Sequence, residues 1–173
     1  MSSSNPGVTL DQVLASRQGA GAIVNVDEPQ IKLVVFTLDA DWFAFPADSI
    51  REVLSDIQVF PLPRCPASLE GVINLRGDIE SVIRLRSVLR YPDAPEGALS
   101  RVLLGEGGAM RSGIRVDRVE EVLDVPQRAL RPAPHTIPDH LRDLVLGILD
   151  FSGRSVTVLS LERLFEDYRA AVR

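Results

Sequence analysis

The chain has 173 residues, 45% hydrophobic and 25% charged, which is enough for one substantial core or two small ones. A net charge of −5, with Lys32 the only lysine, argues against a strongly basic surface for nucleic acid or anionic membrane. No apolar run reaches the roughly 18 residues of a membrane span, the N-terminus lacks the segments of a signal peptide, and the lone Cys65 excludes an intramolecular disulfide, so a cytoplasmic setting is expected.

Residues 1–30 are rich in Ser, Gly, Ala, Gln and Asn and read as a flexible tail before a folded domain over 31–173. Within the tail, Thr9 to Arg17 has a cap and an apolar face (Leu10, Val13, Leu14) suited to a short helix. From Lys32 the pattern changes to short β segments. Leu33 to Leu38 and Trp42 to Phe45 flank a turn at Asp39-Ala40-Asp41, Ile50 to Leu54 continues the strand pattern, and Pro61, Pro63 and Pro66 interrupt it. Leu69 to Leu75 and Ile79 to Leu85 then flank Arg76-Gly77-Asp78, and a short helix is expected from Leu85 to Tyr91, ended by Pro92.

The second half repeats this plan. A shift of 76 residues places Gly71 on Gly147 and Gly77 on Gly153, with Val72, Ile73, Leu75, Val82, Ile83 and Leu85 falling on apolar residues. Upstream, a shift of 69 matches Ile50–Leu54 to Val119–Leu123, so the extra residues lie in the loop from Arg131 to Arg142. Two similar all-β units of this size would each form a small barrel or curled sheet, and units so small are marginal without a shared core. Ser160 to Val172 closes the chain as a capped amphipathic helix with Leu161, Leu164, Phe165 and Tyr168 on one stripe.

The usual constellations of chemistry are missing from the sequence. His135 and His140 are spaced by five, without the i, i+4 helical spacing of many zinc sites, and no further Cys or His lies near them. Asp39 and Asp41 have no adjacent carboxylates to complete a hard-cation site. Gly105-Glu106-Gly107-Gly108 lacks the lysine and hydroxyl of a phosphate loop and reads as a hairpin turn, and Cys65, beside Arg64, has no histidine close in sequence. No enzyme, cofactor or metal is expected.

The most informative string is Gly71-Val72-Ile73-Asn74-Leu75-Arg76-Gly77, a hydrophobic strand ending in an arginine-glycine turn. Gly77 suits the positive φ of a tight turn, and Arg76 is either a solvated turn residue or a guanidinium offered to a partner. With Val34-Val35-Phe36-Thr37-Leu38, Ile50-Arg51-Glu52-Val53, Leu62-Pro63, Gly113-Ile114-Arg115-Val116-Asp117 and Arg131-Pro132-Ala133-Pro134 in this order, the chain resembles the CheW family of bacterial chemosensory adaptors over most of residues 31–168.

The resemblance implies an all-β fold of two SH3-like five-stranded barrels sharing a core, intertwined within one domain. It implies a non-enzymatic scaffold whose partners are the regulatory domain of a CheA-type histidine kinase and the cytoplasmic tip of a methyl-accepting chemoreceptor, lying in the groove between the barrels. Receptor-facing positions would include Ile50, Glu52, Glu70, Gly71 and Arg76, and the kinase would use exposed strand ends and loops of either barrel. Recruitment to membrane-associated arrays, without membrane insertion, follows. The chain departs from the family pattern at Ser81 and Arg84, where a proline and an acidic residue are usual; the inverted charge points to an alternative chemosensory pathway. The competing reading is a β-barrel module for peptide or nucleic acid outside chemotaxis, although aromatics interleaved with basic residues are absent.

Overall fold

Alternating burial from Lys32 onward becomes ten strands. In the computed structural model, which describes residues 28–172, β1 (Gln30–Leu38) and β2 (Asp41–Pro46) form the first hairpin, and β3 (Ile50–Leu54) follows a 3-10 turn at Ala47–Ser49. β4 (Leu69–Leu75) and β5 (Asp78–Arg84) form the second hairpin, and α1 (Leu85–Val88) follows directly. Then come β6 (Arg101–Gly107), β7 (Met110–Val116), β8 (Arg118–Pro126), the one-turn α2 (Asp139–Arg142), β9 (Val145–Phe151), β10 (Arg154–Leu159) and α3 (Leu161–Ala171).

Most boundaries match those expected from pattern, and α1 is the exception. It stops at Val88 because Arg90 takes φ +61° while the Tyr91 N–H bonds back to the Arg86 carbonyl at 2.7 Å, closing the turn before Pro92 is reached. The helix expected over Thr9–Arg17 lies outside the described residues. In α3 the expected cap is present, with Ser160 Oγ accepting the Arg163 N–H at 3.3 Å.

The sheets are ordered β8-β1-β2-β10-β9 and β3-β6-β7-β5-β4. Compared place by place, every strand of one corresponds to a strand five removed in the other, so the repeat read from burial pattern is a repeat of topology. The units do not coincide with successive halves of the chain. Residues 50–116 build one sheet, while 30–46 and 118–159 together build the other. The first half of the chain is joined to the second by two antiparallel pairs, β1 with β8 and β3 with β6, and by two parallel pairs, β2 with β10 and β5 with β7. Parallel neighbours need long connections, and the intervening strands supply them.

Both sheets curl. Leu54 of β3 shares an apolar cluster with Ile73 and Leu75 of β4, although β3 and β4 are opposite edges of their sheet. Leu123 of β8 and Leu149 of β9 do the same in the other sheet. Between the units lies the largest cluster, to which β1 and β2 contribute Phe36, Leu38, Phe43 and Phe45, β5 to β7 contribute Ile83, Leu103 and Ile114, and α3 contributes Leu161, Leu164 and Phe165. Each fully buried Phe or Leu contributes about 1.5–3 kcal/mol, so neither unit retains its outer face without the other.

Candidate functional site

Only Arg76 and Gly77 separate β4 from β5, and both have positive φ, +50° and +92°. This is the primed two-residue hairpin turn whose twist suits the flanking strands. Asn74 Oδ1 accepts the Gly77 N–H at 3.0 Å and secures it. Positive φ is expected at glycine; at Arg76 it costs about 1–2 kcal/mol. The equivalent turn of the other sheet, Ser152-Gly153, has φ +51° and +75°. The conformation therefore belongs to the hairpin, and the arginine is an addition to it.

The Arg76 guanidinium meets Glu52 of β3 in a two-point fork, Nη1 to Oε1 at 3.2 Å and Nη2 to Oε2 at 2.7 Å. Because β3 is one edge of the curled sheet and β4 is the other, the fork lies across the seam where the barrel closes. The arginine side chain is 69% exposed. That hydrogen bond is the first cause holding the Glu52 carboxyl below its usual range. An exposed pair adds little stability, but it orients a guanidinium that keeps free N–H donors at the surface.

Of the residues expected to face a receptor, Glu52 and Arg76 come together at this end of the barrel. Ile50 begins β3, half-buried against the shared core. Glu70 and Gly71 lie at the far end of β4, roughly 17–20 Å from Arg76 at 3.3–3.4 Å per residue. Glu70 is bound by Arg115 of β7, Oε2 to Nε at 2.9 Å and Oε1 to Nη2 at 2.7 Å. Gly71 is buried, and a Cβ there would stand 2.2 Å from the Phe60 carbonyl oxygen. It allows the Phe60 segment to bridge to Val72 (N···O 2.8 and 2.9 Å). That same segment leaves Phe60 and Leu62 exposed, while Ile79, just after the turn, is 65% exposed.

The sequence reads Asp39 and Asp41 as turn residues and not as cation ligands, and gives them no side-chain partner. Asp39 instead accepts from Arg86, and Asp41 accepts the Tyr91 hydroxyl. Burial, with that hydrogen bond second, pushes the Tyr91 phenol up. Arg86 itself, 8% exposed and held by Asp39, Asp117 and the Pro92 carbonyl, carries no sequence signal, since its partners lie 47 and 31 residues away. Ser81 Oγ is 2.8 Å from Ser112 Oγ, and Arg84 donates to the Ala67 carbonyl at 3.0 Å. Among the described residues no three His, Cys, Asp or Glu side chains converge on a metal position.

The model of the CheW-like domain family matches residues 32–169. A probable chemotaxis protein CheW of Rhizobium etli is 27% identical over 146 residues, 84% of this chain and 94% of that protein. Protein FrzA of Myxococcus xanthus is 28% identical over 126 residues, 72% of this chain and 78% of that one. The crystal structure of the scaffolding protein TtCheW from Thermoanaerobacter tengcongensis is similar with a TM-score of 0.72 and 28% identity, covering 80% of this chain and 94% of the other. The family match spans all ten strands and contains the arginine turn with its Glu52 partner: the chain belongs to the CheW-like domain family.

Proposed function

We propose that this chain is the adaptor that couples methyl-accepting chemoreceptors to a CheA-type histidine kinase, binding the receptor's cytoplasmic tip and the kinase regulatory domain. CheW proteins are non-enzymatic scaffolds, and this chain is one. The observation that carries the finer reading is the presentation of Arg76: an exposed guanidinium on a positive-φ turn, aimed by Glu52. A charged, oriented group with exposed apolar side chains on the same unit suits protein recognition, where an apolar anchor within a polar rim carries the energy.

On this reading Ile50, Glu52 and Arg76 face the receptor directly, while Glu70 and Gly71 support the β4 side of that surface. No described helix is long and apolar enough to cross a membrane, so recruitment to receptor arrays would come through the partners. Arg84, a cation where the family pattern is acidic, supports a chemosensory pathway other than the standard one. Calorimetric titration of the full chain with the regulatory domain of a CheA-type kinase from the same organism, and with a receptor-tip hairpin, tests the proposal. Micromolar binding, about −8 kcal/mol, is expected for both; no heat at high concentration with either would overturn it. Stronger binding to the kinase of a standard chemotaxis pathway than to that of an alternative one would remove the alternative-pathway reading.

A further inference from the structure

The two units are joined by two short crossovers: residues 47–49 between β2 and β3, and Asp117 alone between β7 and β8. A one-residue connection is a natural hinge, yet this one is held by its own side chain. Asp117 Oδ1 accepts from Arg86 Nε at 3.1 Å, while Oδ2 accepts from Arg86 Nη2 at 2.6 Å and from the Asp39 N–H at 2.7 Å. The Asp117 N–H donates to the Thr37 carbonyl at 3.1 Å. Arg86 also donates Nη2 to Asp39 Oδ1 at 2.6 Å and Nη1 to the Pro92 carbonyl at 2.8 Å.

Arg86 stands on α1, directly after β5 of one sheet, and Asp39 on the β1–β2 turn of the other; Asp117 is the joint between them. One guanidinium thus ties three segments from both units at a single point. The shared apolar core attracts the units but is non-directional, so by itself it tolerates small rotations of one sheet over the other. A planar fork bound to two carboxylates and a carbonyl has one satisfied geometry. An ion cluster around a buried guanidinium adds little net stability over an apolar replacement; specifying geometry is the role left to it.

We propose that Arg86 is a positioning residue that fixes the angle between the two units. The consequence for binding rests on the adaptor reading, in which the receptor helix lies between the two units; the consequence for geometry does not.

The test uses the full chain with Cys65→Ser and spin labels at two exposed positions, Ile79 of one sheet and Ser155 of the other. Dipolar distances and thermal midpoints are compared for the parent, for Arg86→Lys, and for Arg86→Met combined with Asp39→Asn and Asp117→Asn, which strands no carboxylate. Lysine keeps the charge but cannot fork. Both variants should melt within a few degrees of the parent, widen the distance distribution, and bind a receptor-tip hairpin about tenfold more weakly, within the usual range of coupling between sites. A distribution as narrow as the parent's in either folded variant overturns the proposal, and so does unfolding of the Lys variant, which would make Arg86 a stability residue. If distances widen while the parent chain itself binds no receptor, the positioning role stands and the adaptor reading falls.

Discussion

Gly71 and Gly147 occupy equivalent seats in the two sheets and face the same obstacle, a backbone carbonyl. A Cβ at position 71 would stand 2.2 Å from the Phe60 oxygen, and one at 147 would stand 2.6 Å from the Arg131 oxygen. Each contact belongs to an isolated bridge, Phe60 to Val72 and Arg131 to Ile148, that lays a loop segment against the strand. The glycines of the repeat are therefore kept by close approach of backbone to backbone.

Gly71→Ala must break the Phe60 bridge, since the obstructing atoms are backbone and cannot rotate away. A loss of about 1–3 kcal/mol is expected, as for other forced contacts, which lowers the thermal midpoint by roughly 2–4 °C per kcal/mol in a chain of this size. Gly147→Ala should behave alike. Gly77→Ala meets nothing within 4 Å and bears only the strain of φ +92°, about 1–2 kcal/mol. Calorimetric melting of the three variants checks the order; a Gly77 variant that melts below the Gly71 variant would refute this account.

The repeat, the hairpins and the arginine turn were legible because each rests on local pattern: alternation, a two-residue loop, glycines at a fixed shift. Which strands pair was not. The parallel contacts of Trp42 with Val156 and of Ile83 with Ile114 join segments whose burial patterns would serve equally well within their own halves. The same limit applied at the candidate site. Glu52 and Arg76 were both singled out, but their pairing across 24 residues depends on barrel closure, and the Arg86 cluster depends on where two turns meet in space. The tail before Glu28 lies outside the described residues.

The carboxyl of Glu52 supplies a prediction in pH. Its pKa in the folded chain is depressed, first by the Arg76 hydrogen bond. A depressed carboxylate contributes stability that is present above its unfolded pKa, about 4.3, and is lost as pH falls through the folded value. NMR titration should find Glu52 below the usual range in the native chain and higher in Arg76→Met. The difference in denaturation midpoint between the two should be small at neutral pH and vanish in acid. An unchanged Glu52 titration in the variant would mean that the fork does not persist in solution.

Glu70 calls for a different expectation from the other receptor-facing candidates. Its side chain is 19% exposed and that of Arg115 is 22%, so Glu70→Ala leaves a half-buried guanidinium with Ser100 Oγ as its remaining side-chain partner. Stability should fall by about 1–3 kcal/mol, the range for hydrogen bonds to charged groups and their unmaking. Glu70→Leu with Arg115→Leu should recover part of that loss. Chemical denaturation of the single and double variants decides it, and a single variant as stable as the parent would mark Glu70 as a surface residue free for a partner.

Arg76→Glu separates recognition from folding. The substitution sets a second carboxylate beside Glu52 at an exposed seam, where ion pairs contribute little, and it opens no cavity in the core. Partner binding should weaken by about 2 kcal/mol or more, because the charge presented at the turn is reversed. The informative companion is Glu52→Arg combined with Arg76→Glu, which restores the fork within the chain while leaving the outward charges exchanged. Denaturation midpoints should return to the parent value in the double variant, whereas recruitment of kinase to receptor arrays should remain as poor as in the single one. Recovery of recruitment in the double variant would mean that the partner reads the closed seam of the barrel and not the charge of Arg76; normal recruitment by the single variant would remove Arg76 from the interface altogether.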